Sequence, residues 1–581
     1  MMFKRKETFY YPGQEIVQTA MDKYRCLDGA TMVALKKARG RISFLLVALS
    51  LCFCVIIVRL FYLTVMNYEP RQFVPSVLKT DFELGRKNIT DRHGGLLATS
   101  LPTVDLSVNP AMVKGNVQEI AENISMALPD ISKEDILRKL NSGGTFKYIK
   151  RNLTPMERNA VNWLGYYFLS ETPGEKRVYP QRNLFSHLIG SVDIDGQGVA
   201  GLEKAYNDVL ANQDIQLSVD LSVQESARTS LEKGIEKYGA VGGAAIVMDV
   251  NTAEVLAMVS LPDYTPNLSL KLTPEQQFNK ASLGVYEFGS VFKLFNTAMA
   301  LEYKDITPWD VFDASEPIKI GRKRITDYRG PERPLMVPEI LMHSSNIGTV
   351  QIAQKSGYKK QQEFLNRFGF YRSLPISLPE RSGVLLPPRD KKWADITSAN
   401  VAFGYGISIS PLHLIAGVSA LANGGYYHVP TFLKDGNKGK PEIQVVSKKT
   451  SDQLRPMMWA VVNWDLKKNH PVAKYAVGGK TGTANLIEDG KYVEGKSRTT
   501  FVGVFPMNAP KYAVLVVLED PKRIKETWNF NTAGWNAKPV ALEIIASIAP
   551  HLGVQPVSEY KLPAYVQKAI DISVEAKKKK R

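Results

Sequence analysis

Cysteine is nearly absent from this chain: there are three in 581 residues, and Cys26, Cys52 and Cys54 all lie at its N-terminal end. Everything after residue 54 is therefore without a disulfide framework or a thiolate metal cluster, which suits an exported region and a cytoplasmic one equally. Histidine is scarce too, seven in all. No His-Glu-x-x-His pair marks a zinc protease and no Gly-x-Ser-x-Gly elbow marks an α/β-hydrolase. Zinc-finger, helix-turn-helix and phosphate-loop patterns are missing as well. The formal net charge of +17 is thus not read as a nucleic-acid footprint, which leaves anionic lipid or an acidic polymer. Part of the excess is local, in Lys36, Lys37, Arg39 and Arg41 and in Lys577 to Arg581. The last group reads as a basic C-terminal tail, residues 566–581, solvated and disordered.

Long hydrophobic runs are also rare, and the one present is placed early. Residues 1–41 read as a polar, basic tail. Ile42 to Val58 is uninterrupted apolar or small, about 25 Å of helix at 1.5 Å per residue. With Leu60 to Met66 it becomes long enough to cross a bilayer with tilt, so residues 42–66 are expected to be a transmembrane helix. Arg59 interrupts it, and a charge near one end can snorkel to the headgroups. Asn67-Tyr68-Glu69-Pro70 offers no small-x-small cleavage site, so a permanent single anchor is expected. The basic flank places the N-terminus in the cytoplasm and the rest of the chain outside the membrane.

The chemistry is expected from Tyr286-Glu287-Phe288-Gly289-Ser290-Val291-Phe292-Lys293. A serine and a lysine three residues on share a helical face, so the amine can reach the hydroxyl. Gly289 leaves backbone space for a carbonyl to approach. Ser-x-x-Lys is the pattern of serine acyl-transfer enzymes. Alone it says little, because Ser76/Lys79, Ser230/Lys233, Ser356/Lys359 and Ser558/Lys561 repeat it. Order makes Ser290 stand out: Ser344-Ser345-Asn346 follows, then Lys480-Thr481-Gly482-Thr483, the single Lys-Thr-Gly of the sequence. Ser107-Val108-Asn109 and Ser398-Ala399-Asn400 compete for the middle place, and spacing alone does not exclude the second.

Residues 67–215 hold short mixed elements without a catalytic set and read as a spacer. Residues 216–565 read as one globular unit. Asp220 caps a helix through Tyr238, Ala244 to Met248 and Val255 to Val259 form a hairpin, and a helical middle follows. Tyr475 to Asn485, Phe501 to Phe505 and Tyr512 to Leu518 are three more strands, and Lys538 to Ile548 is a closing helix. That order implies an α+β fold with an antiparallel sheet sandwiched by helices, in which Lys480-Thr481-Gly482 lies on a strand edge facing the Ser290 helix.

With these residues assembled, the sequence resembles the class B penicillin-binding proteins over about residues 42–550. The ordered triple is joined by Asp91-Arg92-His93-Gly94, Tyr264-Thr265-Pro266-Asn267, Gly404-Tyr405-Gly406 and Ala422-Asn423-Gly424-Gly425. Val337-Pro338-Glu339-Ile340 leading into His343-Ser344-Ser345-Asn346, and Thr532-Ala533-Gly534-Trp535-Asn536, look most like the septal, FtsI-type branch. They favour Ser344 over Ser398. Two positions depart from the family pattern, Arg86-Lys87 where Arg-Gly is usual and Ala253 where glycine is frequent.

The resemblance implies a membrane-anchored, elongated pedestal ahead of a penicillin-binding transpeptidase domain. It implies a peptidoglycan D,D-transpeptidase that crosslinks stem peptides through an acyl-serine and is blocked by β-lactams. The implied catalytic residues are Ser290, Lys293, Ser344, Asn346 and Lys480, with Thr481, Gly482 and Thr483 binding substrate and backbone N–H groups of Ser290 and Thr483 forming the oxyanion hole. No metal or organic cofactor is implied, and no nucleic acid. A membrane glycan polymerase such as FtsW and other division proteins are the implied partners, at the bacterial inner membrane with the catalytic domain in the periplasm. An elongation-type penicillin-binding protein 2, a D,D-carboxypeptidase, a serine β-lactamase and a β-lactam sensor without turnover are the alternatives. The sensor would need a cytoplasmic effector, for which the expected 41-residue N-terminal tail is short.

Overall fold

The computed structural model describes residues 16–21, 24–61, 85–266, 271–488 and 490–579. Expectations that fall on residues 62–66, on Asn67–Pro70, on Asn267 and on Lys580–Arg581 lie outside them. The chain divides into two units, Met1–Phe82 and Glu83–Arg581.

The first unit holds a hairpin of β1 (Ile16–Met21) and β2 (Tyr24–Gly29) and the helix α1 (Ala30–Phe61). The helix starts well before residue 42, inside the stretch expected as a polar tail, because nothing between Ala30 and Arg41 breaks it: Gly40 is tolerated once the apolar turns continue. Its segment Ala34–Arg59, whose most apolar 18-residue stretch has a mean hydropathy of 2.6, is long and apolar enough to cross a membrane. Arg59 lies in its last turn.

In the second unit the N-terminal part pairs the long β3 (Leu96–Val108) with β4 (Lys147–Leu153) and β5 (Leu169–Val178). Helices α2 (Val117–Ala127), α3 (Lys133–Leu140) and α4 (Pro155–Trp163) cover it around Leu106, Ile124, Ile136 and Phe168. Arg86, next to the departure from the family pattern at Lys87, is buried. Its Nε donates to Glu203 Oε2 at 2.6 Å while Arg177 Nε donates to Oε1 at 2.7 Å. Asp220 caps α5 (Leu221–Tyr238) by accepting the Ser222 and Val223 N–H groups, worth about 1 kcal/mol.

The central sheet is fully antiparallel, in the order β7-β6-β10-β9-β8, from β6 (Gly242–Asp249), β7 (Val255–Leu261), β8 (Gly478–Glu488), β9 (Lys491–Phe505) and β10 (Tyr512–Glu519). Successive side chains of a strand face opposite ways. Val514, Val516 and Leu518 therefore pack with α5 and α11 (Ala537–His551), while Ala513, Leu515 and Val517 pack with the helical middle. That middle includes α6 (Phe292–Glu302), α7 (Val337–Met342), α8 (Asn346–Ser356), α9 (Pro411–Ala422) and α10 (Lys448–Asn463). The α+β sandwich is as the alternation implied. The hairpin of β8 and β9 is longer than expected, since its polar half keeps backbone pairing without burying side chains. The turn between β6 and β7 puts Ala253 at φ +54, the left-handed conformation that glycine adopts more cheaply.

The C-terminal segment corrects the expectation of a disordered tail. Residues Ala564–Lys579 form the helix α12, with Val566, Ala569 and Ser573 buried at helical spacing against α7 and α10. Burying that stripe outweighs the charge of the terminal lysines, which gather in the last turn where the helix dipole favours them.

Candidate functional site

The site forms where α6, the α7–α8 junction and the edge strand β8 meet. Gly289 opens a single 3₁₀ turn, Gly289–Val291, that leads into α6. Its φ is +51, and a Cβ there would stand 2.7 Å from the Thr483 carbonyl oxygen. On the strand side a Cβ on Gly482 would stand 2.1 Å from the Phe288 carbonyl oxygen. Two glycines thus let the turn carrying Ser290 lie directly on β8. Ser290 is half-buried, and its hydroxyl makes no hydrogen bond to a described residue.

Lys293, in the first turn of α6, is completely buried. Its Nζ donates to Asn346 Oδ1 at 2.8 Å, to Ser344 Oγ at 3.2 Å and to the Ser344 carbonyl. Lys480 comes from β8 at 1% exposure, and its Nζ reaches Ser344 Oγ at 3.0 Å and the Thr481 carbonyl at 3.3 Å. The Ser344 hydroxyl is the point both amines share. Burial, then the Lys480 charge, pushes the Lys293 amine well below the ordinary lysine range, with Asp327 opposing. Burial, then the Lys538 charge, lowers Lys480 to about 7.

The placement of Ser344 follows from how α7 ends. Ser344 is left-handed at φ +57, its N–H bonds to the Leu341 carbonyl and the Ser345 N–H to the Ile340 carbonyl. This is the Schellman end of a helix with a serine where glycine is usual, and the left-handed backbone costs roughly 1 kcal/mol. Ser345 then caps α8 by accepting the Gly348 N–H at 3.0 Å, so its side chain turns away from the lysines. Asn346 opens α8, with its side-chain Nδ2 on the Thr326 carbonyl at 2.9 Å. Thr481 and Thr483 are half-buried. Thr483 Oγ1 accepts the Ala533 N–H at 3.1 Å, which leaves its proton to donate.

All of Ser290, Lys293, Ser344, Asn346, Lys480, Thr481, Gly482 and Thr483 lie in these three meeting segments. The rival Ser398 is spent elsewhere, donating to Gln361 at 2.7 Å within a buried pair. Tyr405 stacks edge-on with Tyr492 at 5.9 Å, and Tyr492 donates to Glu287, whose Oε1 also takes the Gly406 N–H at 2.7 Å. Burial pushes the Glu287 carboxyl up. Among the described residues no cluster of His, Cys, Asp and Glu could hold a metal ion.

Two neighbours escape a reading of the sequence. Asp327 accepts the Ser345 hydroxyl and the N–H groups of Asn346 and Ile347, from a loop whose relation to α8 no spacing reveals. Lys538, in the first turn of α11, is half-buried and donates to the Val462 carbonyl at 3.3 Å; it lies inside an apolar helix pattern that gives no hint of it.

Comparison with known proteins shows the family of the chain. Residues 243–546 match the penicillin binding protein transpeptidase domain, and residues 83–240 match the penicillin-binding protein dimerisation domain. The probable peptidoglycan D,D-transpeptidase FtsI of Caulobacter vibrioides is 34% identical over 489 residues, 81% of this chain and 82% of that one. The probable peptidoglycan D,D-transpeptidase PenA of Neisseria gonorrhoeae is 30% identical over 524 residues, 83% and 89% of the two chains. Among solved structures, penicillin binding protein 3 of Mycobacterium tuberculosis in complex with aztreonam superposes with a TM-score of 0.64 at 23% identity, covering 83% of this chain and 99% of that one. At that identity the last likeness speaks for the fold alone.

Proposed function

The chain belongs to the class B penicillin-binding proteins, peptidoglycan D,D-transpeptidases of the FtsI-like kind, and on that premise we propose that Ser290 is its nucleophile. The Ser290 oxygen attacks the carbonyl carbon of the penultimate D-alanine of a stem pentapeptide, giving a tetrahedral oxyanion. Collapse breaks the peptide C–N bond, the terminal D-alanine leaves with a proton on its amine, and an ester remains on Ser290. An amine of a neighbouring stem then attacks the ester, the Ser290 oxygen takes back a proton, and a crosslink is made.

A serine hydroxyl needs a base, and Lys293 fills that role. The observation that carries the reading is its fully buried amine, held by Ser344 and Asn346 and kept below the lysine range by burial and by Lys480. A neutral amine accepts the Ser290 proton. Ser344 passes a proton between the lysines and the departing or arriving amine. Lys480, with the hydroxyls of Thr481 and Thr483, receives the substrate's terminal carboxylate. The N–H groups of Ser290 and Thr483 hold the oxyanion, at roughly 3–4 kcal/mol per donor. Asp327 is a positioning residue for Ser345 and Asn346.

Septal wall synthesis is the role proposed, on the likeness to FtsI, with α1 as a single membrane anchor, its basic flank in the cytoplasm, and a membrane polymerase such as FtsW as partner. Localising a fluorescent fusion at midcell or along the side wall separates this from an elongation role. The chemical reading is tested with a fluorescent penicillin: Ser290→Ala folds and takes no covalent label. Label retained on another serine refutes it.

A further inference from the structure

We propose that the C-terminal helix α12 belongs to the frame of the active site, and that Ser573 is a positioning residue which, through His343, holds the Ser344 hydroxyl between Lys293 and Lys480. The inference rests on the reading of Ser344 as the proton relay.

Ser573 is 2% exposed and has a single proton to give. It donates to Glu339 Oε1 at 3.1 Å, so toward His343 it can only accept, and the 3.0 Å contact with Nε2 requires that nitrogen to carry hydrogen. Glu339 is itself tied down, capping the start of α7 through the Met336 N–H at 3.1 Å and pairing with Arg333 at 2.5 Å. One hydroxyl of α12 therefore grips α7 at both ends: at Glu339 in its first turn and at His343, its last cap. Burial holds the His343 imidazole below its usual range.

His343 is the residue immediately before Ser344. Its N–H closes the last turn of α7 on the Glu339 carbonyl at 2.8 Å, and the chain then enters the left-handed conformation of Ser344. Strained backbone of this kind persists only where its surroundings over-determine it. On its other side the His343 ring stands edge-on to Trp464, 5.4 Å between centroids, and Lys577 of α12 lies over the same indole at 5.0 Å. Tyr565 fixes the start of α12 by donating to the Gln453 carbonyl at 3.2 Å. The helix thus clasps His343 through Ser573 and through Trp464, and the direction of the Ser344 side chain depends on that clasp.

The test is the rate of acylation by a fluorescent penicillin, measured on the full-length protein in detergent and normalised to the folded fraction from circular dichroism. Ser573→Ala should acylate about tenfold more slowly while still reaching the wild-type stoichiometry at long times. Ser573→Thr, which keeps the hydroxyl, should retain the wild-type rate. A chain ending at Pro563 should be at least as slow as Ser573→Ala. A purely structural role moves the melting temperature and leaves the normalised rate alone, so a folded Ser573→Ala protein within twofold of wild type overturns the proposal. Equal slowing by Ala and Thr overturns it as well, since packing and not the hydroxyl would then be at work. Ser344→Ala run in parallel separates the two readings. If it acylates normally, the role given to Ser344 fails and takes the proposal with it. If it is defective while Ser573→Ala is normal, only the proposal fails.

Discussion

The Asp327 carboxylate takes the Ser345 hydroxyl at 2.6 Å, across a separation in the chain that leaves no local trace. The same carboxylate receives the Ile347 N–H at 2.9 Å, so it acts as a second cap on α8 and fixes the direction in which Asn346 leaves the helix.

Asp327→Ala should therefore cost about 2 kcal/mol of stability, because a buried hydroxyl and helix N–H groups lose their acceptor together. Acylation should slow by about tenfold to a hundredfold as Asn346 loosens from Lys293. Asp327→Asn, which keeps one acceptor oxygen, should fall between. The carboxylate also opposes the lowering of Lys293; without it the amine binds its proton less readily, and the acid limb of the acylation profile moves to lower pH. Thermal melts and acylation rates across pH check both.

On the proposed mechanism, Lys480 at about 7 sets the other limb. If its charge receives the substrate carboxylate, acylation declines as pH rises through that value, by about tenfold per unit beyond it. Lys538 lowers Lys480 because two neighbouring cations disfavour each other. Lys538→Ala removes that repulsion, Lys480 holds its proton to higher pH, and the alkaline limb moves upward. A limb that stays in place separates Lys480 from the pH dependence.

The parts of this molecule legible in its sequence are those where one periodicity or one local motif carries the information. Val514, Val516 and Leu518 alternate with Ala513, Leu515 and Val517, which is the pattern of a strand buried on both faces. Asp220 before a helical run is a cap by type and position. The ordered triple brought Ser290, Ser344 and Lys480 forward because each sits in a short fixed motif. What stayed hidden depends on partners far away in the chain. Asp327 looks like any loop aspartate until α8 is placed over it. Lys538 looks like a solvent lysine on an apolar helix until its face turns inward. The C-terminal lysines obscured α12 because charge was weighed over the spacing of Val566, Ala569 and Ser573.

In the N-terminal part of the second unit, Glu203 is fully buried between Arg86 and Arg177. Removing one member of a buried charge network strands the others without a counter-ion. Glu203→Ala should lower stability by about 3–5 kcal/mol, read as a fall in melting temperature. The penicillin acylation rate per folded molecule should hold, since none of the three residues lies in the α6, α7–α8 and β8 junction. A stability loss under about 1 kcal/mol would show that water or neighbouring groups already satisfy the arginines.

Ser344 carries two demands that a pair of substitutions can separate. Its hydroxyl sits between two amines, and its backbone is left-handed at φ +57. Ser344→Ala removes the hydroxyl and keeps a Cβ that resents this conformation, whereas Ser344→Gly removes both. Both variants should lose acylation to a similar degree, because the proposed relay needs the oxygen. In stability they should part: glycine adopts left-handed backbone without the steric cost, so Ser344→Gly should melt higher than Ser344→Ala. The expected gap is about 1 kcal/mol, the cost of one left-handed residue with a side chain, less what glycine loses through the greater freedom of its unfolded chain. Equal melting of the two would mean that α7 does not end on a strained serine in solution, and that the clasp on His343 has no strain to hold.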